Sequence, residues 1–513
     1  MMSIADIAVI GSGAAATTTL IELFNKLIEG QTITEKLRIM VIDKYPEFWK
    51  GIPYGMRSSI NSLTITNTAD FVSVEQERKI FHEWLKANHD EWTRYYQLNG
   101  GVAASVWLAN NLPLIEKDKW NEVYLPRFVF GWYMQNRLLT LLGQVEEKQL
   151  ASITLIQAEA IAVKLNTDAV YEVTLEDGDK KTTYIKAQKI VIAIGSAPIK
   201  SNDDENSGLY AYINDLYAPT LDENLRTIKN DLHRTPANHN KNVLIIGSNA
   251  SCIELLYILN HRPDILKDIH NITVISRTGK MPYYLSEAEL EHYPCSNLDQ
   301  LKQDGNYNVH TLVEATKKDI SNAVQYTVIV VPYLNRIIGY TIELLQILDE
   351  GSKAIFFSIY GPQLTKLIRR SGPAYKSASD NLIALQKLSM LKGDFLNMEQ
   401  GLNGGILNYI NADYIQQKYP VAFKAVINCS GSGRLQNSAS RLIGNLINQN
   451  GCGLTMSGEG IIVNEKFEAA PNLYVIGPLL AGNMNKIIHF WHLENVSRLI
   501  YLAPYLAEQL INN

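Results

Sequence analysis

Short apolar runs and helical spacings alternate along the chain in an order that occurs twice. Ile7-Ala8-Val9-Ile10 is an apolar strand running into Gly11-Ser12-Gly13-Ala14-Ala15-Ala16. Leu20, Ile21, Phe24, Leu27 and Ile28 then recur at the spacing of a helix with one buried face. A second run, Leu37-Arg38-Ile39-Met40-Val41-Ile42, ends on Asp43. The same grammar returns at Asn242-Val243-Leu244-Ile245-Ile246, followed by Gly247-Ser248-Asn249-Ala250-Ser251. Ile253, Leu255, Leu256, Ile258 and Leu259 mark its helix, and Ile272-Thr273-Val274-Ile275 leads into Ser276-Arg277-Thr278.

Between the two units, Lys189 to Ile194 predicts a buried strand closed by Gly195 and Pro198, and Lys200 to Lys241 is a polar crossover. Two later strands are expected at Ala425 to Gly431 and at Asn472 to Pro478, before a terminal helix through Val496, Leu499, Ile500, Leu502, Leu506 and Leu510. Tyr340, Leu344, Leu345 and Leu348, then Leu364, Leu367 and Ile368, then Leu382, Leu385 and Leu388 show helical spacing. They predict a helical cap inserted after the second unit.

Strand, glycine turn, helix, strand is the pattern of a dinucleotide-binding unit. Gly11 permits the tight turn, Gly13 lets the backbone approach a pyrophosphate, and Ala16 lets the helix pack closely on the strand. The helix N-terminus favours the phosphate charge. Asp43 stands where an acid accepts hydrogen bonds from ribose hydroxyls, which suits an unphosphorylated ribose. In the second unit Gly247, Ser248 and Ser251 form the turn, and Ser276-Arg277 replaces the acid. A hydroxyl beside a guanidinium suits a 2′-phosphate, so NADPH is expected there, the alternative being a solvated arginine. Asn249 departs from glycine, and the turn is expected to survive because asparagine tolerates left-handed backbone.

Composition narrows the partners. The chain has 513 residues, 46% of them hydrophobic and 19% charged, with a net charge of −5. It offers no electrostatic reason to bind nucleic acid. The four cysteines are widely spaced, which disfavours a dithiol reductase, and no histidine spacing suggests a metal site. There is no basic leader with a cleavage site, and no apolar run reaches the roughly 18 residues of a membrane span, so a cytoplasmic protein is expected.

The order of parts resembles the two-dinucleotide-binding-domain flavoproteins, with Gly11 to Ala16, Ala193-Ile194-Gly195, Gly247 to Ser251 and Tyr474 to Gly477 in the corresponding places. More narrowly it resembles the YdhS-type FAD/NAD(P)-binding proteins, relatives of the flavin-dependent N-hydroxylating monooxygenases. The cues are Gly51-Ile52-Pro53-Tyr54-Gly55, Asn61 to Asn67, Tyr124-Leu125-Pro126-Arg127 with Gly131 and Tyr133, Ser276-Arg277, Asn428 to Gly431 and Leu473 to Pro478. The fingerprint of Baeyer–Villiger enzymes is absent, and Gly477 is followed by Pro478 where many reductase-like flavoproteins carry an acid.

The resemblance implies an α/β fold with two Rossmann-like domains, the second inserted in the first, and an additional helical cap. The expected limits are 1–200 and 416–513 for the FAD-binding domain, 201–285 with 399–415 for the NADPH-binding domain, and 286–398 for the cap. FAD and NADPH are the implied cofactors, with Gly11, Gly13, Ala16, Asp43, Gly195 and Gly477 toward FAD. Implied too are a small-molecule substrate and dioxygen, with hydroxylation of an amine of a small amino acid or related metabolite through a flavin C4a-hydroperoxide. A reductase or oxidase without oxygen insertion, or a non-catalytic FAD-binding protein, is the alternative. The sequence leaves a homo-oligomer open.

Three candidates for catalysis come from loops expected near the flavin. Asn67 either contacts the flavin or substrate or caps the next segment. Arg127 either clamps an anion or forms a structural ion pair. Glu494 is the third candidate, and the turn Gly482 to Asn485 before it, with His489, Trp491 and His492, is expected to aim a helix N-terminus at the flavin, the two histidines serving mainly as packing residues. Arg369-Arg370 and Tyr375-Lys376 are either an anion site or solvated faces.

Overall fold

Strand β1 (Ala5–Ile10) is almost wholly buried, as an apolar run must be when both faces of a parallel sheet are covered. The structure, a computed structural model, describes residues 4–512 except 31–34, 199–207, 237–240, 287–291, 326–327, 369, 432, 489–490 and 492–494. Helix α1 (Ala14–Ile28) follows, then β2 (Leu37–Asp43), which lies parallel to β1 with Ile7 opposite Ile39. Helices over residues 75–116 lead to a long helix, α2 (Arg127–Glu147), and then to β3 (Ala151–Gln157) beside β2. A hairpin of β4 (Glu159–Leu165) and β5 (Tyr171–Glu176) precedes β6 (Thr182–Ile192), which returns to the other side of β1.

The second domain begins at β7 (Ala211–Ile213). Its centre is β8 (Asn242–Ile246), followed by α3 (Ala250–Asn260) and β9 (Ile272–Ser276). After the insertion come α4 (Pro373–Ala384), β10 (Leu388–Gly401), β11 (Gly404–Asn411), β12 (Gln416–Lys418) and β13 (Phe423–Asn428). The strand order is β12-β11-β10-β9-β8-β13-β7, with β10, β9, β8, β13 and β7 parallel. The chain then returns to the first sheet through β14 (Glu468–Ala470) and β15 (Leu473–Val475), the latter parallel to β6. Helix α5 (Val496–Ile511) closes the domain against α1. The second Rossmann-like unit is thus inserted in the first.

The expected domain limits need correction on the C-terminal side of the cap. Helix α4 packs on α3, and β10 pairs with β9 through Leu388 opposite Ile272, so residues 373–398 belong to the second domain. Strands β12 and β13 also belong there, although residues from 416 onward were expected in the first domain. The cause is local: β10 carries Gly393 and many half-exposed positions because its far half is a hairpin with β11 rather than a covered strand. The insertion proper lies before Pro373. It holds helices Ser296–Asp304, Val309–Ala323, Val331–Gln346, Glu350–Ile355 and Gly361–Leu367, the third and last of them where the spacing predicts helix, with a π-helical turn at Phe356–Tyr360; the spacing through Leu382 to Leu388 is instead the end of α4 and the start of β10. Leu298, Leu312, Val313, Ile337, Leu344 and Phe356 give it a core of its own. A four-stranded sheet within it escaped the sequence reading.

Among the described residues, no helix is long and apolar enough to cross a membrane.

Two glycines of positive φ predict different costs. A Cβ on Gly247 would lie 2.6 Å from the carbonyl oxygen of Cys429, whereas one on Gly305 meets open space. Gly305→Ala should therefore lose about 1 kcal/mol by backbone strain alone and Gly247→Ala about 3 kcal/mol or more, measured by chemical denaturation. A pH effect arises at His82 in the helix Glu75–Ala87, whose Nε2 lies 3.3 Å from Thr68 Oγ1. Burial, with Arg78 and Lys86 nearby, brings the imidazole down to about 4. Between an unfolded value of about 6.5 and that folded value only the unfolded chain takes up the proton, so this contribution to stability is lost as pH falls through the window. Allowing for partial exposure, His82→Gln should remove about 1–2 kcal/mol of the acid-side loss, seen as a flatter stability curve between pH 6.5 and 4.

Candidate functional site

The first glycine turn sits at the carboxyl edge of the first sheet, where open α/β folds place their ligands. Gly11 N donates to Ile42 O at 2.8 Å and Ala193 N donates to Ile10 O at 2.8 Å, so β1 stays paired on both sides to its last residue. The chain then turns at Gly11, with φ at +97°, and a Cβ there would be 2.4 Å from Ala193 O. Gly13 precedes α1 without providing a side-chain cap, and Ala16 is fully buried. Across the turn, Gly51 approaches so closely that its Cβ would be 2.9 Å from Gly13 Cα. Trp49 N donates to Ser12 O at 2.8 Å and ties this loop down. Gly477 comes up beside the same helix, where an added Cβ would lie 3.3 Å from Ala15 Cβ. Gly195, with φ at +76°, follows just after Ala193 and has open space on its Cβ side.

These residues fit a dinucleotide pyrophosphate: a helix N-terminus without a side-chain cap, opening on Gly13, Ala14, Ala15 and Ala16, leaves backbone N–H groups for an anion. Asp43 is partly committed to its own turn. Its Oδ2 accepts from Ser12 N at 2.9 Å and Ser12 Oγ at 2.8 Å, and its Oδ1 accepts from Tyr45 N at 3.0 Å. A carboxylate accepts about four hydrogen bonds, so little capacity is left for two ribose hydroxyls unless Ser12 Oγ turns away.

The second turn repeats the two strand-end bonds of the first. Gly247 N donates to Ile275 O and Cys429 N to Ile246 O, each at 2.8 Å, and Gly247 has φ at +94°. Asn249 corrects the sequence reasoning. Its φ of −98° and ψ of −159° are extended and close to the −78° and −168° of Gly13, so the position needs no left-handed residue. What distinguishes Gly13 is the absence of a side chain. Ser248 is buried, and Ser251 Oγ accepts from Tyr217 OH at 3.2 Å. Ser276 Oγ accepts from Gly279 N at 3.1 Å and shapes the strand end. There the Arg277 side chain is 72% exposed, with its Nε 3.9 Å from Asp394 Oδ1. So exposed a pair contributes little, and Arg277 is accessible at the strand end.

Arg127, a candidate for catalysis, is engaged between the domains. Its Nη1 donates to Glu254 Oε2 at 2.7 Å and its Nε to Leu63 O at 2.8 Å. Ser62 Oγ donates to Glu254 Oε1 at 2.7 Å, and Tyr375 OH donates to Leu63 O at 2.8 Å and accepts from Leu63 N at 2.9 Å. Burial alone would lower the Arg127 guanidinium, but Glu254 and nearby tyrosines outweigh it and raise it. The structural ion pair is therefore the arrangement adopted. Tyr375 serves this network, while Lys376 forms an i,i+4 pair with Asp380 at 2.6 Å. Arg369 lies outside the described residues.

Asn67 caps the short helix Thr68–Phe71, its side chain accepting from Asp70 N at 3.0 Å. His489, His492 and Glu494 lie outside the described residues. No helix starts at Gly482 to Asn485, contrary to expectation. Asn483 instead bonds Ile461 O at 2.7 Å and Leu480 O at 3.0 Å, and Asn485 Oδ1 accepts from Ile488 N at 2.7 Å. The insertion docks on this turn through Ser358 Oγ to Gly482 O at 3.0 Å and Trp491 Nε1 to Thr365 Oγ1 at 2.6 Å.

Glu254, Ser62 and Arg57 escaped the sequence reading. Glu254 did leave a signal, as the only charge in a helix whose residues 252–259 are all buried. Such a helix buries its charge only with a partner. The cysteines Cys252, Cys295, Cys429 and Cys452 are free and buried, and burial pushes the Cys252 and Cys429 thiols up.

Comparison with known proteins fits this geometry. A family model described as FAD-NAD(P)-binding matches residues 8–197. The Uncharacterized protein Rv3403c of Mycobacterium tuberculosis is 34% identical over 99% of this chain and 95% of its own length, and Mb3437c of Mycobacterium bovis matches equally. Among solved structures, the fold is similar to the reduced form of the ornithine hydroxylase PvdA of Pseudomonas aeruginosa, with a TM-score of 0.52, 12% identity and 99% of each chain covered. It is also similar to the FAD-bound cadaverine monooxygenase DfoA of Erwinia amylovora, with a TM-score of 0.53, 12% identity and 99% and 94% of the two chains covered. The chain therefore belongs to the family of the mycobacterial protein Rv3403c, and its first domain is of the FAD-NAD(P)-binding kind.

Proposed function

We propose that this protein is an FAD-containing, NADPH-dependent oxidoreductase that hydroxylates the amine of a small amino acid or related metabolite. The observation that carries the proposal is the glycine turn built twice, at Gly11 and Gly247, with the same backbone bonds in both domains. Similarity in fold to an ornithine hydroxylase and a cadaverine monooxygenase supports the amine-hydroxylating form.

Gly11, Gly13 and Ala16 would seat the FAD pyrophosphate on α1, with Asp43 at its ribose. Gly195 and Gly477 would flank the same cofactor. The second turn, Gly247, Ser248 and Ser251, would seat the NADPH pyrophosphate, with Ser276 and Arg277 at its 2′-phosphate. FAD, when bound, supplies hydride acceptance and reactivity toward dioxygen. The chain's own work is to hold two dinucleotides at fixed positions and to shelter the substrate from water. The insertion, docked on the turn after Gly477 through Ser358 and Trp491, would cover the substrate.

Purified protein should be yellow with one FAD per chain and bleach under anaerobic NADPH. With the right amino acid or polyamine, NADPH consumption should match hydroxylated product. Stoichiometric hydrogen peroxide with every amine would favour an oxidase, and no bleaching at saturating NADPH would favour a binding protein. Arg277→Ala should weaken NADPH by about 10-fold or more, the size of a lost charge-assisted hydrogen bond, and leave NADH within about twofold. Equal weakening of both dinucleotides would remove Arg277 from the phosphate seat.

A further inference from the structure

We infer that Glu254 is a positioning residue for hydride transfer, because it pins the helix that starts at the second glycine turn to the first domain through Arg127 and Ser62. This rests on the function proposed above.

The helix makes its attachments along one face. Ser251 and Glu254 are three residues apart on α3 and so project the same way. Ser251 receives Tyr217 OH, and the Tyr217 carbonyl in turn accepts from Arg57 Nε at 2.8 Å, from the first domain. Glu254 uses both oxygens, one for Ser62 and one for Arg127, and its side chain is 1% exposed. Leu63, next to Ser62, is held at both N and O by Tyr375 of α4, which packs on α3. Two polar chains thus join α3 to one short segment of the first domain, Arg57 to Leu63, and to the start of α2.

Leverage follows from the distance along the helix. Glu254 lies four residues into α3, about 6 Å from its first residue at 1.5 Å per residue. Any rotation of the second domain that parts the pair while the interface stays closed strands a carboxylate and a guanidinium out of water, which opposes the rotation. The seat of the nicotinamide-bearing dinucleotide is therefore set by this pair. Hydride transfer is sensitive to such placement, because an error of about 1 Å can cost about 100-fold in rate.

Glu254→Gln and Arg127→Met should each keep FAD content and NADPH affinity within about twofold while slowing anaerobic flavin reduction at saturating NADPH by about tenfold or more. Arg127→Met/Glu254→Gln should be no slower than the slower single variant, because both members act as one unit. A wild-type rate in Glu254→Gln, or effects that multiply in the double variant, would overturn the inference. Amide hydrogen exchange gives a second readout that needs no NADPH chemistry. In the wild-type protein, residues 61–64 and 250–257 should exchange as one cooperative unit, and in Glu254→Gln as two. Independent exchange in the wild type overturns the inference even if the variants do not fold. A wild-type protein that exchanges as one unit but is not bleached by NADPH would instead count against the proposed function and leave the attachment standing.

Discussion

A carboxylate taken wholly out of water must find its full set of partners, and Glu254 finds them only where the two domains meet. Removing such a charge from solvent costs several kcal/mol even after relaxation, and the cost is offset only by close, well-aligned partners. Ser62 and Arg127 meet that need from the first domain, one on each oxygen. A different orientation of the second domain would leave both charges unpaired. The pair is weak grounds for high stability, yet it is a strong reason for one interdomain geometry over others.

That geometry matters because the two halves use the same backbone device. In each, the central strand is paired to its end, a glycine of positive φ crosses close to the neighbouring strand, and a helix begins without a side-chain cap. The halves differ where their ligands would differ. Asp43 organises the first turn through Ser12, whereas Ser276 and an exposed Arg277 end the corresponding strand. Asn249 takes the backbone conformation of Gly13, so the second turn keeps its shape while carrying a side chain where the first has none.

The insertion is tied to the first domain as well as to the second. Its π-helical turn contributes Ser358 to the turn at Gly482, and Thr365 receives the Trp491 indole. A Cβ on Gly361 would lie 2.5 Å from Trp491 Cγ, so the small residue is required for this packing. Three parts of the chain therefore converge around the carboxyl edge of the first sheet: the insertion, the C-terminal return and the loop at Gly51.

Much of this was determined locally and was legible in the residue order. Apolar runs ending in Gly11 and Gly247, and helical spacing after each, specify strand, turn and helix, because burial of one face and freedom at φ act over a few residues. The sequence by itself thus determined two Rossmann-like units, their order, and a helical segment after the second. Tertiary structure alone decided how far that segment extends, since the hairpin half of β10 half-buries only Phe395 and Met398 among its hydrophobic side chains, too few positions to mark it as a strand. It also decided the role of Arg127. The arginine and its carboxylate lie 127 residues apart, and which of many carboxylates completes a buried pair depends on how whole domains pack, a constraint that no local pattern encodes.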